Sequence, residues 1–464
     1  MATYPLISHA TADAVIAYRA GAPLRAAEFL ADAAALAARL PTGRHVINVC
    51  ADRYRFAVAL AACLLARKVC LLPPTRTPEV IRQLTVFAPD VFCLSDEDGC
   101  DVALPQVRVS AQPAVPASAA GVPWRVPEVD SEQVAAYVFT SGSTGVPVPY
   151  PKTWGKLVRC VRDGAARLGF ADGRSHAVLA TVPPQHMYGF ESSVLLALQS
   201  GGALCAERPF YPADVCSALD ALPRPRTLLS TPIHLRALLA SQAQLPPADL
   251  IVSATAPLPR ELAREAEHRF RAPLLEIYGS TESGQLATRR TARDQEWRLW
   301  PGVCLTLEEG RAWARGGHLE QPTPMCDELE PIDAERFLLG GRLADLVNIA
   351  GKRSSLSYLT HQLNSIAGVE DGVFFFPEEA QASRAALARV AAAVVAPGLD
   401  AALLTEALRQ RIDPVFLPRP LLLVERLPRN STGKLPREAL RSLAAAAASA
   451  AKPEAAVSGR QVDR

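Results

Sequence analysis

The sequence predicts an α/β protein with a large N-terminal domain of several subdomains. That domain is built on mainly parallel sheets with a short β segment, and a small α+β domain follows it. Three observations carry the prediction. Helix-like and strand-like runs alternate along the N-terminal part, the pattern of βαβ units and a parallel sheet. Several strand-like runs end in small or polar residues, which gathers strand ends at one cleft. The chain has 464 residues, too many for one ordinary core, so a large domain with at least one smaller one is expected.

The elements follow in order. Residues 26–40 are rich in Ala and Leu and read as a helix, broken by Pro41-Thr42-Gly43 before a buried strand at 45–50. The apolar run 56–66 stops at Arg67-Lys68. It is too short to span a bilayer and reads as a buried helix, leading into a strand at 69–72. A Pro/Ala/Val-rich stretch at 111–127 reads as a surface connection to the β-prone run 135–139. Further strands are expected at 178–182, 227–230, 250–253 and 274–278, and a short, turn-rich β segment at 297–335. Strands at 373–376, 391–396 and 420–424, with helices between, make a second domain. The domains are 1–341, 342–442 and a disordered tail at 443–464, Ala-rich and then polar.

Composition excludes several classes. Forty-nine basic side chains face 47 acidic ones, for a net charge of +2, which leaves no electrostatic footprint for nucleic acid or an anionic membrane. Ten cysteines occur without a Cys-x-x-Cys pair or a neighbouring His cluster, so neither a zinc site nor a redox motif is expected, and reduced thiols point to the cytoplasm. The N-terminus lacks the charged-then-apolar order of a signal peptide.

The run Thr140-Ser141-Gly142-Ser143-Thr144-Gly145 directly follows the strand at 135–139. Glycines let backbone amides approach an anion, and Ser and Thr add hydroxyl donors without bulk, so the run suits phosphate. No Gly-Lys-Ser/Thr ends it, which excludes a Walker loop. Three more clusters follow: Tyr278-Gly279-Ser280-Thr281-Glu282; Gly341-Arg342-Leu343-Ala344-Asp345 with Gly351-Lys352-Arg353; and Pro428-Arg429-Asn430-Ser431-Thr432-Gly433-Lys434.

In this order the four clusters resemble the signature motifs of the adenylate-forming superfamily: acyl-CoA synthetases, stand-alone aryl acid ligases, nonribosomal peptide adenylation domains and luciferases. The resemblance implies activation of a carboxylic acid with ATP and Mg²⁺ to acyl-AMP, then transfer to the phosphopantetheine thiol of CoA or of an acyl carrier protein. It implies that Thr140 to Gly145 hold the β- and γ-phosphates, and that Glu282 binds the metal while Thr281 donates to the α-phosphate. Ala256 and Pro257 would lie in the adenine-facing loop, with Tyr278, Gly279 and Ser280 beside the nucleotide. Asp327, fifteen residues before Arg342, matches the ribose-binding aspartate, and Arg342 the phosphate-binding arginine. Lys434 matches the lysine that bridges the substrate carboxylate and the nucleotide. Where the family runs Gly-x-Pro-Lys, this chain reads Gly145-Val146-Pro147-Val148-Pro149-Tyr150-Pro151-Lys152, which displaces Lys152 by four residues.

The pocket residues implied are His186, Met187, Tyr188, Gly189, Ser192 and Ser253. His186 takes a positioning role, because an acid already ionised at neutral pH needs no general base. The resemblance also implies that the small C-terminal domain is mobile, with its hinge at Ala344 and Asp345, and that Gly351 and Arg353 face the thiol channel. The compact chain, the expanded phosphate loop and the short β segment are similar to the stand-alone ligases of bacterial aryl polyene pigment clusters. A hydroxylated aromatic acid, such as a hydroxybenzoate or hydroxycinnamate, is therefore expected. The rivals are a medium- or long-chain fatty acyl ligase, and a non-catalytic nucleotide- or acid-binding relative acting as sensor or scaffold.

Overall fold

The computed structural model describes residues 2–73, 76–98, 100–110, 123–141, 147–309, 311–342, 346–349, 352–377, 390–430, 435–436, 438–440, 442–443 and 445. The chain divides into two compact units: Met1–Met325 with Leu329–Leu338, and Cys326–Glu328 with Leu339–Arg464.

The first unit carries the expected α/β alternation on two large sheets. One runs in spatial order Pro147–Thr153, Val134–Ser141, Val69–Leu72, His45–Asn48, Phe92–Ser95 and Gln106–Arg108. All its neighbours are parallel except Pro147–Thr153, which returns antiparallel along Val134–Ser141. The other contains six consecutive parallel strands: Leu274–Ser280, Leu250–Ser253, Arg226–Ser230, Ala177–Ala180, Ala203–Cys205 and Val15–Arg19. Antiparallel strands Gly284–Arg289 and Trp297–Leu299 extend it past Leu274–Ser280.

The unbroken apolar run at 56–66 has its explanation here. Helix Arg53–Leu65 is buried almost all round, packed in one core with Val46 and Cys70 of the first sheet and with Phe190, Val194 and Leu198. A helix apolar on every face belongs between layers. Asp52 caps it by accepting from the Arg55 amide.

Pro147–Thr153 was expected as loop and is strand. Its prolines, Pro147, Pro149 and Pro151, alternate with Val148, Tyr150 and Lys152, and it lies at the edge of its sheet. An edge strand leaves every second N–H facing away from the ladder, so proline is tolerated at those positions. Thr153 ends the strand and caps helix Trp154–Arg167 through the Lys156 amide.

The second unit has the three-stranded sheet Asp371–Phe375, Ala391–Val395 and Leu421–Leu423, with helices Leu356–Asn364 and Ala401–Arg409. Leu359, Leu363, Phe374, Val394, Leu404 and Leu408 form its core. The helix expected between its first two strands falls on 378–389, outside the described residues, as do 111–122 of the Pro-rich connection and the end of the tail. Among the described residues no helix is long and apolar enough to cross a membrane.

Candidate functional site

The parallel strands of the second sheet deliver their C-terminal ends side by side, and the candidates from His186 to Ser192, from Ser253 to Pro257 and from Tyr278 to Glu282 follow three of them. Tyr278 is buried, its ring 5.6 Å from Trp297 and 5.7 Å from Phe337. The strand register shifts between Tyr278 and Gly279. Gly279 passes so close to the returning strand that a Cβ would lie 2.2 Å from the Gly284 carbonyl oxygen, so this position takes only glycine.

The turn that follows closes on its own serines. The Ser280 amide donates to Ser283 Oγ at 3.1 Å, the Ser283 amide donates back to Ser280 Oγ at 3.2 Å, and the hydroxyls are 3.0 Å apart. Thr281 and Glu282 are its half-buried tip. The Glu282 carboxylate is left without a hydrogen bond or ion pair among the described residues.

A buried polar layer lies behind that tip. Lys152, fully buried, donates from Nζ to the Thr281 carbonyl and, at 3.2 Å, to the Glu282 carbonyl. Lys156 Nζ also reaches the Glu282 carbonyl, at 3.4 Å. His318 Nε2 donates to the Ser283 carbonyl at 2.9 Å; burial pushes its pKa down to about 4, so it is neutral at pH 7. Glu191 is buried against Cys160, whose thiol donates to Oε1 at 3.5 Å. Burial raises the Glu191 pKa, while the Lys152 charge pulls it back. Burial and neighbouring Lys156 lower that of Lys152.

Strand Leu250–Ser253 ends differently. Ser253 and Ala254 are buried, Ala256 half-buried and Pro257 exposed. Between them Thr255 adopts φ +82°, a conformation that costs a β-branched residue about 1–2 kcal/mol. The expected pocket residues begin at His186, which precedes helix Met187–Gly189. A π-helical segment, Phe190–Leu195, continues from it; such segments are frequent at functional sites. Gly189 would place a Cβ 2.0 Å from the Pro183 carbonyl oxygen. Met187, Tyr188 and Ser192 are buried. Two of the hydrogen-bonding tips expected here are already engaged: Tyr188 Oη donates to the Val252 carbonyl at 3.0 Å, and Ser192 Oγ accepts from Gln285 Nε2 at 2.8 Å. Ser253 Oγ is buried with no hydrogen-bond partner among the described residues.

Asp327, Arg342 and Arg353 belong to the second unit. Asp327 begins strand Asp327–Pro331 and Arg342 ends its neighbour Arg336–Arg342. Arg353 lies on Lys352–Ser355, opposite Asn348. Thr140 and Ser141 close strand Val134–Ser141. Gly142, Ser143, Thr144, Gly145, Ala344, Asp345, Gly351 and Lys434 lie outside the described residues.

The donor set bears on the implied metal. Glu282 offers one hard carboxylate, and among the described residues no group of three or more His, Cys, Asp or Glu forms a metal cage. That arrangement fits Mg²⁺, which keeps waters and takes phosphate oxygens alongside one or two carboxylates.

A family model described as AMP-binding enzyme matches residues 9–327. The chain belongs to this family. Among curated relatives, a 4-coumarate–CoA ligase from Rhodobacter capsulatus is 31% identical over 52% of this chain and 60% of its own length, so the match spans less than two thirds of that relative. A 4-coumarate–CoA ligase from Halorhodospira halophila is 30% identical over 66% of this chain and 76% of that one. Among solved structures, ATP-bound MatB from Rhodopseudomonas palustris superposes with a TM-score of 0.76 at 19% identity, covering 93% of this chain and 96% of that one. Adenylate-forming neighbours of this kind establish the fold: a large N-terminal α/β domain with a small C-terminal one.

Sequence reasoning missed the layer behind the tip of the turn, Lys156, Cys160, Glu191, Gln285 and His318, whose members come from separate parts of the chain. It also missed Arg53, fully buried, whose Nη2 donates to the carbonyls of Ala180 (3.0 Å) and Val182 (2.8 Å) just ahead of His186. No short motif carries such contacts. One signal was present: the period-two prolines around Lys152 mark an edge strand.

Proposed function

We propose that this chain is an ATP-dependent acid–thiol ligase that activates a hydroxylated aromatic acid of the hydroxycinnamate type. The acid's carboxylate oxygen attacks the α-phosphorus of ATP and pyrophosphate leaves, giving acyl-AMP. A phosphopantetheine thiolate then attacks the acyl carbon and AMP leaves. The observation that carries the reading is the Ser280–Gly284 turn, which presents a hydroxyl and a carboxylate with no hydrogen bond or ion pair among the described residues at a strand end. Thr281 would donate to the α-phosphate and Glu282 would hold Mg²⁺, which neutralises phosphate charge as pyrophosphate departs.

The acid class rests on relatives named for 4-coumarate, and Ser253 Oγ, buried without a hydrogen-bond partner among the described residues, would be the polar group that meets a ring hydroxyl. His186 would position the acid. Asp327 and Arg342 would bind ribose and phosphate, and Lys434 would bridge the acid and the nucleotide.

Acid-dependent exchange of labelled pyrophosphate into ATP tests the reading, run across hydroxycinnamates, hydroxybenzoates and fatty acids. Exchange is expected, with kcat/KM highest for an aryl acid. A preference for medium or long aliphatic acids would overturn the acid class, and ATP binding without exchange for any acid would favour a sensor. Comparing CoA with a carrier protein as thiol then assigns the acceptor.

A further inference from the structure

We propose that Lys152 is a positioning residue for the metal-binding turn and not a ligand of the triphosphate, an inference that rests on the adenylation chemistry proposed above. Three observations converge on it. Lys152 lies opposite Ala136 in the ladder, whereas the phosphate loop spans the end closed by the Ser141–Pro147 pair. Lys152 lies five residue steps along the strand from Pro147, about 17 Å at 3.3–3.4 Å per residue, which is beyond the reach of a lysine side chain. The ammonium is also fully buried and already bonded to the carbonyls of Thr281 and Glu282. An ammonium has three N–H donors, and spending two of them on adjacent carbonyls fixes the peptide planes on which both side chains stand.

The layer around it makes the arrangement rigid. His318 holds the Ser283 carbonyl and Lys156 adds a second cation at the Glu282 carbonyl. The extra residues in the loop-and-strand segment leave this lysine behind the turn, where it acts on Glu282 through the backbone. A carboxylate that must meet a cation with near-octahedral demands gains from such preorganisation.

The test uses the full-length protein and the variants Lys152→Met and Lys152→Arg. ATP binding is measured by calorimetry with Mg²⁺ and with chelator, and amide hydrogen exchange of residues 279–285 is followed in the free protein. A positioning role predicts that Lys152→Met binds metal-free ATP within twofold of wild type, loses about tenfold of the tightening that Mg²⁺ gives, and exchanges the turn amides about tenfold faster. Lys152→Arg should restore much of both, because it keeps a buried cationic donor. A tenfold loss of metal-free ATP affinity in Lys152→Met would overturn the inference in favour of direct phosphate contact. Unchanged turn exchange and unchanged Mg²⁺ dependence would overturn it outright. If the wild type bound no ATP, the proposed function would fail while the exchange of the turn amides still decided whether Lys152 holds the turn. Should Lys152→Met not fold, Lys152→Gln serves with the same readings.

Discussion

Strands Leu250–Ser253 and Leu274–Ser280 are neighbours in one parallel sheet, yet their ends are shaped by opposite means. After Ser280 the chain is held by bonds: two serines close the turn, and Lys152, Lys156 and His318 secure its carbonyls from behind. After Ser253 the chain is shaped by strain, with Thr255 in a left-handed conformation. The contrast teaches that neighbouring loops of one site differ in how their geometry is encoded. One depends on side chains far away in sequence, the other on a single residue's backbone, and substitutions should separate the two.

The largest effect is expected at the bonded turn. Glu282→Ala should lower acid-dependent pyrophosphate exchange about a thousandfold, roughly 4 kcal/mol of transition-state stabilisation, with little change in Tm because the side chain has no described partner. An intact rate would move the metal site elsewhere. Glu191→Ala should then cost about 3 kcal/mol in urea unfolding, since it removes the carboxylate that offsets buried Lys152. A loss below 1 kcal/mol would mean that the carbonyls alone satisfy the lysine.

The same turn should confer a pH dependence that the strained loop lacks. His318 is buried neutral, with its pKa pushed down to about 4 from 6.5. The unfolded chain therefore binds a proton at a pH where the folded one does not. The stability contribution is complete above the ordinary histidine value and is lost as pH falls from there toward 4, about 2 kcal/mol between pH 7 and pH 5. His318→Gln should flatten that part of the profile in equilibrium unfolding; an unchanged slope would exclude His318 as its source. The smallest effect belongs to the strained loop. Thr255→Gly should stabilise by about 0.5 kcal/mol, relief of strain offset by the flexibility glycine adds to the unfolded chain. A loss of 1 kcal/mol or more would show that the threonine side chain contributes more than its backbone costs.

The same division explains what was legible in the sequence. Strands such as Val69–Leu72 and Leu250–Ser253 coincide with their apolar runs because a buried parallel strand is apolar on both faces. The Tyr278 to Glu282 cluster was readable as a motif because its residues are contiguous and Gly279 marks a close approach. Lys152 was visible only as a displaced residue, and its burial against the Thr281 and Glu282 carbonyls depends on two different sheets bringing together residues more than a hundred positions apart. Tyr188 and Ser192 were expected to offer hydrogen bonds to a ligand. The structure commits both within the protein, to Val252 and Gln285, which no local pattern announces.

The central claim, that this chain makes an acyl adenylate, is most directly tested by rapid quench of the enzyme with ATP, Mg²⁺ and 4-coumarate in the absence of thiol. The account predicts enzyme-bound coumaroyl-AMP approaching one per active site with matching pyrophosphate, discharged to thioester and AMP when CoA or a loaded-arm carrier protein is added. ATP left intact with this and every other aryl or fatty acid, or ADP and phosphate in place of AMP and pyrophosphate, would contradict it.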